Sequence, residues 1–493
     1  MSTPLRLAEE TTRGPADRRW MALAIIALAQ LMIALDATIV SIALPWAQRD
    51  LGASDAERQW VITAYTLAFA GLLLVGGRIA DTIGRKRTFV IGLAGFALAS
   101  AVGGSAGSFL LLLASRAAQG AFAALLAPTA LSLIAVTFTQ PRERARAFAV
   151  YGAIAGSGAA LGLLLGGVLT QYFGWRWCLY VNVPIAVAAA IGGWRVLSGA
   201  AGGQRQGLDI PGVLFATAGL VALVYACSDA VSSGWASGWV IGFLTASVVL
   251  LCAFVVREAR TDAPLLPLHI VLDRNRGGAY LAAAFAIAGM FGAFLFLTYY
   301  LQVVLRYSPL QAGLAFLPLT LASQAGSWGI AAVLMPRVPA RWIMAPGALT
   351  AAAGMLILTQ IQVDSGFVTH VLPAEILLGI GIACVMAPAF NVGTRGVDPR
   401  QAGVAAATVN AATQIGASLG TAILNAIAAS ATAAYLAGFR PSPAIVNQAL
   451  VHGYAVATAW AAGVLVLGAV STAVLIDAGR PAPQAHRQAR TDN

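Results

Sequence analysis

Fourteen stretches of this chain are apolar for long enough to cross a bilayer as helices. They fall near residues 20–45, 58–78, 87–106, 108–137, 146–170, 178–198, 210–231, 236–257, 278–303, 312–336, 340–360, 366–391, 403–432 and 452–476. At about 1.5 Å of rise per residue, roughly 20 residues span a hydrocarbon core about 30 Å thick. Lipid offers the backbone no hydrogen-bond partner, so consecutive spans of this kind fold as a bundle of helices. Charged residues make up 10% of the chain and hydrophobic ones 59%, against roughly 25% charged in soluble domains. No water-soluble core hides that much apolar surface. The expected class is an all-α polytopic membrane protein.

The charges between the spans predict its orientation. Fourteen crossings put both termini on one side. With the termini in the cytoplasm, the inner segments hold 24 of the 30 Lys and Arg residues, and the outer loops hold five: Arg49, Arg58, Arg176, Arg306 and Arg440. The last, Arg116, lies within a span. Cationic loops stay inside, so a multi-pass protein of the inner (plasma) membrane with cytoplasmic ends is expected. The first twenty residues mix Arg6, Arg13, Arg18 and Arg19 with Glu9, Glu10 and Asp17, which is not the pattern of a cleaved signal. The net charge of +11 is scattered between apolar segments, which points to lipid as the surrounding partner and not to nucleic acid. Cys178, Cys227, Cys252 and Cys384 show no CxxC spacing, and His269, His370, His452 and His486 form no metal-ligand pattern. No GxxxxGK[ST] segment occurs, so no ATP-driven step and no cofactor are expected.

Inside the first span the chain reads LDATIVSIALP, from Leu35 to Pro45. If Pro45 ends the span, Asp36 lies about nine residues, some 14 Å, within it. A charge at that depth costs a few kcal/mol even on lenient insertion scales; it faces a cavity, meets a partner or takes up a proton. Arg116 stands about eight residues into span four and Glu375 about nine into span twelve, at similar depth. A guanidinium favours the ionised form of a neighbouring acid, and burial favours the neutral form. Asp36, Arg116 and Glu375 are therefore the candidate proton-coupling site; a permanent, inert pair of Arg116 with one acid is the structural alternative. Span nine offers Phe291, Phe294, Phe296, Tyr299 and Tyr300, and span ten Trp328. Aromatic faces suit planar or cationic organic substrates, although aromatics near 299–306 also belong at a membrane interface. Phe291, Phe294, Tyr299 and Trp328, with the polar Gln119 and Asn410, are the candidate substrate cavity. On span five Gly158, Gly162 and Gly166 fall four apart, with Gly167 beside the last. Small residues at that spacing let helices approach closely.

Several motifs resemble the major facilitator superfamily, and within it the fourteen-span drug:proton antiporters. LDATIVSIALP is similar to that family's first-helix signature. GGRIADTIGRKR (76–87) matches the superfamily's loop between helices two and three, with Gly77, Asp81, Gly84, Arg85 and Lys86 in place. SRAAQGAFAALLAP (115–128) resembles the fourth-helix motif, WRWCLYVNVPIA (175–186) the start of helix six, and PRQAGVAAATVNAATQIGASLG (399–420) the helix-thirteen segment. The fifth-helix antiporter motif departs in one place: positions 162–167 read GLLLGG, with Leu163 where the family has proline. The resemblance implies two six-helix halves plus two extra transmembrane helices. The divisions are a tail 1–19, a half 20–198, a linker with the extra pair 199–257, a cytoplasmic loop 258–277, a half 278–476 and a tail 477–493. It implies no enzyme but a proton-coupled antiporter. That antiporter would export hydrophobic, cationic or aromatic drugs or antibiotics by alternating access, with the 77–87 loop as cytoplasmic gate. The alternative is a proton-coupled or facilitative transporter of a specific metabolite or self-made antibiotic. A reporter fused after Asn493 is expected to be active only in the cytoplasm; activity on the outer face would overturn the orientation.

Overall fold

In a computed structural model of the chain, residues 15–477 are described, except 55–56, 139, 198–208, 262–263, 265, 267, 398–401 and 441. Both predicted tails and nearly all of the Gly-rich linker thus lie outside the described residues, apart from the last few tail positions. No strand occurs among them. With lipid offering the backbone no other partner, each apolar stretch closes its own i→i−4 bonds, and fourteen helical rods follow in order. They are α1 (Pro15–Leu51), α2 (Trp60–Ile83), α3 (Arg85–Gly104), α4 (Phe109–Thr137), α5 (Pro141–Tyr172), α6 (Asn182–Val196) and α7 (Ile210–Ser233). There follow α8 (Gly238–Arg260), α9 (Arg274–Tyr299), α10 (Pro309–Leu334), α11 (Arg341–Leu358), α12 (Leu372–Thr394), α13 (Ala402–Leu436) and α14 (Pro443–Leu475). Twelve rods are long and apolar enough to cross a membrane. The other two, α2 and α5, are 24 and 32 residues long and carry the apolar stretches Trp60–Leu73 and Ala160–Tyr172.

Helix ends differ from expectation by up to nine residues, at the start of α14, and two departures bear on the site. Helix α1 does not stop at Pro45 but runs on to Leu51. Pro45 leaves one carbonyl in the preceding turn without its usual donor, and Gln302, in the turn just after α9, donates from Nε2 to the nearby Ile42 carbonyl at 3.0 Å. Asp36 therefore lies fifteen residues, about 22 Å, from the end of its helix, and not nine. Secondly, three rods of the second half contain a wide π-turn: Tyr300–Val304 after α9, Gly326–Ala331 within α10 and Phe367–Val371 before α12.

Helices α1–α6 pack mainly among themselves, as do α9–α14. Both described chain ends lie on one side, called here the near side, where Arg19 pairs with Glu143 and Arg341 with Asp477. At the near side Gly84, with φ of 96°, reverses the chain between α2 and α3, a backbone shape that a side chain would strain. The halves meet through polar contacts at the opposite, far side. The first helix of the extra pair, α7, packs on α2 and α13, while α8 packs on α7 at the periphery. Glycines on α5 let α1 come close: a Cβ at Gly162 would sit 2.1 Å from Thr38 Oγ1 and 2.7 Å from the Leu35 carbonyl. Backbone cannot yield there. Gly162→Leu is thus expected to wedge α1 from α5 and lower stability by about 1–3 kcal/mol or more, read as thermal unfolding in detergent. Gly77→Ala, whose Cβ would be 3.8 Å from Pro128, serves as the tolerated control.

Candidate functional site

Asp36 is fully buried, and five helices of the first half converge on it. Its Oδ2 accepts from Arg116 Nη1 of α4 at 2.7 Å. Its Oδ1 accepts from Asn182 Nδ2, at the start of α6, at 2.7 Å and from Gln119 Nε2 at 3.2 Å. Gln119 Nε2 also reaches Ser100 Oγ of α3 at 2.7 Å, and its Oε1 accepts from Arg116 Nη1 at 2.8 Å. Arg116, 2% exposed, donates from Nε to the Val61 carbonyl of α2 at 3.1 Å and lies 4.4 Å over the Tyr65 ring. A desolvated ion pair persists only when further hydrogen bonds satisfy its remaining atoms, and here they do. The carboxylate accepts from three donors. A proton on Oδ2 would point an O–H at Arg116 Nη1, itself a donor, while Oδ1 could still accept from Asn182 and Gln119, so proton uptake and the Arg116 bond cannot both stand unchanged.

The structure does not bring Glu375 into that network. Glu375, 1% exposed, sits on α12 in the second half. Neither of its oxygens makes a hydrogen bond among the described residues, although the Leu319 backbone of α10 faces the carboxyl. The expected three-member site is therefore an ion pair in one half and a lone acid in the other. Depth along a helix fixes height but says nothing of whether side chains of the two halves meet.

Gln119, expected in the substrate cavity, belongs to the Asp36 network. Phe294 is buried against Phe316 at 5.1 Å, with Phe291 at 6.4 Å. Tyr299 lies under the Arg58 guanidinium at 4.0 Å and donates to Gln48, which ties it to the far-side contact. Trp328 is 66% exposed, and Asn410 donates to the Ala406 carbonyl of its own helix. In the 77–87 loop Lys86 Nζ stands 5.4 Å over Trp194, Arg85 is half-buried, and Arg78 donates to the Pro264 carbonyl. The Asp81 side chain lies outside the described residues. Gly158, Gly162 and Gly166 face α1; Gly167 faces α10, where a Cβ would sit 2.7 Å from the Pro309 carbonyl. Leu163 is fully buried at that contact, with its carbonyl 2.5 Å from where a Gly313 Cβ would be. Near the other side α1 and α5 leave an apolar groove of about 440 Å³, lined by Trp20, Leu23, Leu28, Leu31, Val150 and Ile154.

Residues to which the sequence analysis assigned no role hold much of this. Arg58, counted as an outer-loop cation, is 4% exposed and bonds Asn425 of α13 from Nε and Nη2, each at 3.3 Å. Asn182, Ser100, Tyr65, Gln59, Trp46 and Gln302 were also unassigned. An amide inside an apolar run, as at Asn182 and Asn425, is the signal that could have found two of them.

The Major Facilitator Superfamily profile matches residues 26–421. The chain belongs to the Major Facilitator Superfamily. A puromycin resistance protein of Streptomyces alboniger is 52% identical to it over 467 residues, covering 94% of this chain and 93% of that protein. A cephamycin export protein of Amycolatopsis lactamdurans is 39% identical over 434 residues, covering 87% of this chain and 89% of that one. Among solved structures, a bacterial homologue of the human lysosomal transporter Spinster, in an inward-facing and unoccupied conformation, has a TM-score of 0.66. It is 16% identical over 93% of this chain and 97% of that chain, a likeness of fold. This superfamily member is a multi-pass membrane transporter with the major facilitator fold. Removing one partner of a buried pair leaves an uncompensated charge, so Arg116→Ala is expected to destabilise it by about 3–5 kcal/mol. Asp36→Asn with Arg116→Leu is expected to recover most of that loss, both read by thermal unfolding.

Proposed function

We propose that this transporter is a proton-coupled antiporter that exports an antibiotic or drug from the cytoplasm, with fourteen membrane spans and cytoplasmic ends. The observation that carries the reading is the Asp36 carboxylate, held by three donors at a depth where only a partner or a proton satisfies it. Proton uptake at Asp36 Oδ2 breaks the match with Arg116, which joins protonation to a change in how α1 and α4 pack. Export follows if the protein binds proton and substrate in competition, because linkage then makes each release the other. Protons entering from outside release substrate there, and deprotonation towards the cytoplasm prepares the site for the next molecule.

The two halves are 20–198 and 278–476, joined through the extra pair, and the cationic near side is the cytoplasmic one. Gly77, Asp81, Gly84, Arg85 and Lys86 act as the cytoplasmic gate. Glu375, in the opposite half from the pair, reads positive charge on the substrate, since a buried carboxylate gains most from a cationic partner. Names among the relatives support antibiotic export: puromycin resistance, cephamycin export, tetracenomycin C resistance and export, and multidrug efflux. The apolar α1–α5 groove on the near side suits a hydrophobic compound arriving from the inner leaflet.

Puromycin is the first substrate to try. Expression in a sensitive host is expected to raise the inhibitory concentration, and a protonophore to abolish uphill efflux from loaded vesicles. Asp36→Asn keeps volume and polarity but cannot change charge, so it is expected to be expressed yet fail to drive uphill transport. If Asp36→Asn vesicles still concentrate substrate with the normal pH dependence, the proton site lies elsewhere. Glu375→Gln is expected to weaken transport of a cationic substrate more than that of a neutral one; equal losses would remove Glu375 from substrate recognition.

A further inference from the structure

Where the halves meet along α2 and α13, the contact is polar although both rods are apolar overall. Gln59, Thr63 and Thr66 recur at helical spacing at the start of α2, and Ser418, Thr421 and Asn425 on α13; all six are at most 2% exposed. Asn425 sets the register. Its Nδ2 donates to Gln59 Oε1 at 2.8 Å, and its Oδ1 accepts both bonds from Arg58. The two helices run in opposite directions, so one turn further along Thr63 comes level with Thr421, and at the next turn Thr66 with Ser418. The hydroxyls of Thr63, Thr421 and Ser418 make no hydrogen bond among the described residues. Thr66 turns its own back to the Ile62 carbonyl.

A buried hydroxyl without a protein partner costs free energy that water would recover. Beneath the Arg58–Asn425 bonds the seam is thus closed against the preference of its own side chains. Such an arrangement suits a surface that separates and wets in use. Lipid would be the wrong solvent for it, since hydrocarbon satisfies no hydroxyl. Helix α7 stands on that side. Val224 and Cys227 of α7 form one apolar cluster with Leu67 of α2 and Ala422 of α13. Thr217 of α7 donates to the Gly71 carbonyl of α2 at 3.5 Å, and a Cβ at Gly71 would come within 2.9 Å of the Thr217 hydroxyl.

We propose that the α2–α13 seam is a far-side gate latched by Arg58 on Asn425, and that α7 of the extra pair covers it against lipid, so that it wets only from the aqueous face. The proposal rests on alternating access as proposed above. The two additional helices thereby keep a polar gate out of hydrocarbon while leaving it free to part.

The test uses Thr63→Cys in the full chain, with Cys178, Cys252 and Cys384 changed to alanine and Cys227, part of the α7 cover, to valine, reconstituted in liposomes. Two maleimides are compared, one water-soluble and impermeant applied to the far side, the other carried on a lipid chain. The parent is expected to react slowly with both. Losing the charged hydrogen bonds of the latch in Arg58→Ala is expected to speed the water-soluble reaction about tenfold or more, with the lipid-borne reaction still slow. Gly71→Leu, and independently the milder Val224→Ala, are expected to speed the lipid-borne reaction instead. Thr63→Cys that stays unreactive in Arg58→Ala overturns the gate, and a lipid-borne rate unchanged by both α7 variants overturns the cover. Leu163→Cys, buried at the α5–α10 contact, reports far-side opening apart from this seam. If it becomes reactive in the Arg58→Ala chain while Thr63→Cys does not, the halves part elsewhere and the proposal falls alone. If neither position reacts in any variant, alternating access falls with it.

Discussion

A carboxylate inside a bilayer has no water to fall back on, and the packing of the first half answers that single fact. Asp36 draws Arg116 from α4 and Asn182 from α6, and through Gln119 it reaches Ser100 on α3. Arg116 in turn takes the Val61 carbonyl and the Tyr65 ring from α2. Apolar contacts alone, such as those of the surrounding core, fit many arrangements about equally well. The ion pair and its amides fit one. Buried polar groups are known to fix register in this way, and here the group that fixes register is also the one with a charge to exchange.

The second half is built on a different principle. Its own buried acid, Glu375, stands among apolar side chains without a matched donor set. Its polar residues at the far side bind across to the first half: Gln302 to Trp46 and the Ile42 carbonyl, Tyr299 to Gln48, Asn425 to Arg58 and Gln59. The first half is bound round its ion pair; the second adds contacts across to its neighbour besides its own, such as Tyr280 to the Gly393 carbonyl and Tyr300 to the Gln362 carbonyl. A transporter whose halves rock against each other needs the crossing contacts to be breakable, and hydrogen bonds to amides and hydroxyls, those of the Arg58 guanidinium to Asn425 included, are cheaper to separate than a desolvated ion pair.

What could be read in one dimension was whatever shows as contrast along the chain. Apolar runs located every rod to within several residues, and a charge in such a run marked Asp36 and Arg116 before any contact was known. The division into halves placed Glu375 opposite the pair, but depth along the helices did not reveal that its carboxyl stays apart from Asp36 and Arg116, because that depends on how two bundles face each other. Arg58 was invisible for the opposite reason. Next to a loop it counts as one more cation, and only the approach of Asn425, some 367 residues away in sequence, makes it a buried bond. Pro45 misled through a local rule: proline usually ends a helix, but Gln302 supplies a donor near the gap and α1 continues. Gln119 and Tyr299 looked like cavity residues because polarity and aromaticity say that a side chain has a partner without saying which.

The three π-turns at Tyr300–Val304, Gly326–Ala331 and Phe367–Val371 bear on the ancestry of the molecule. A π-turn holds one residue more than an α-turn, so every side chain beyond it is rotated by about 100° from the face a regular helix would give. Among the described residues these turns occur only in the second half. If the halves descend from one duplicated unit, their sequences keep face and register through α10 only when a single-position gap is opened at Gly326–Ala331, the one such turn among the described residues with α-helix on both sides. Without that gap, residues of α10 beyond the turn are matched to positions that face about 100° away.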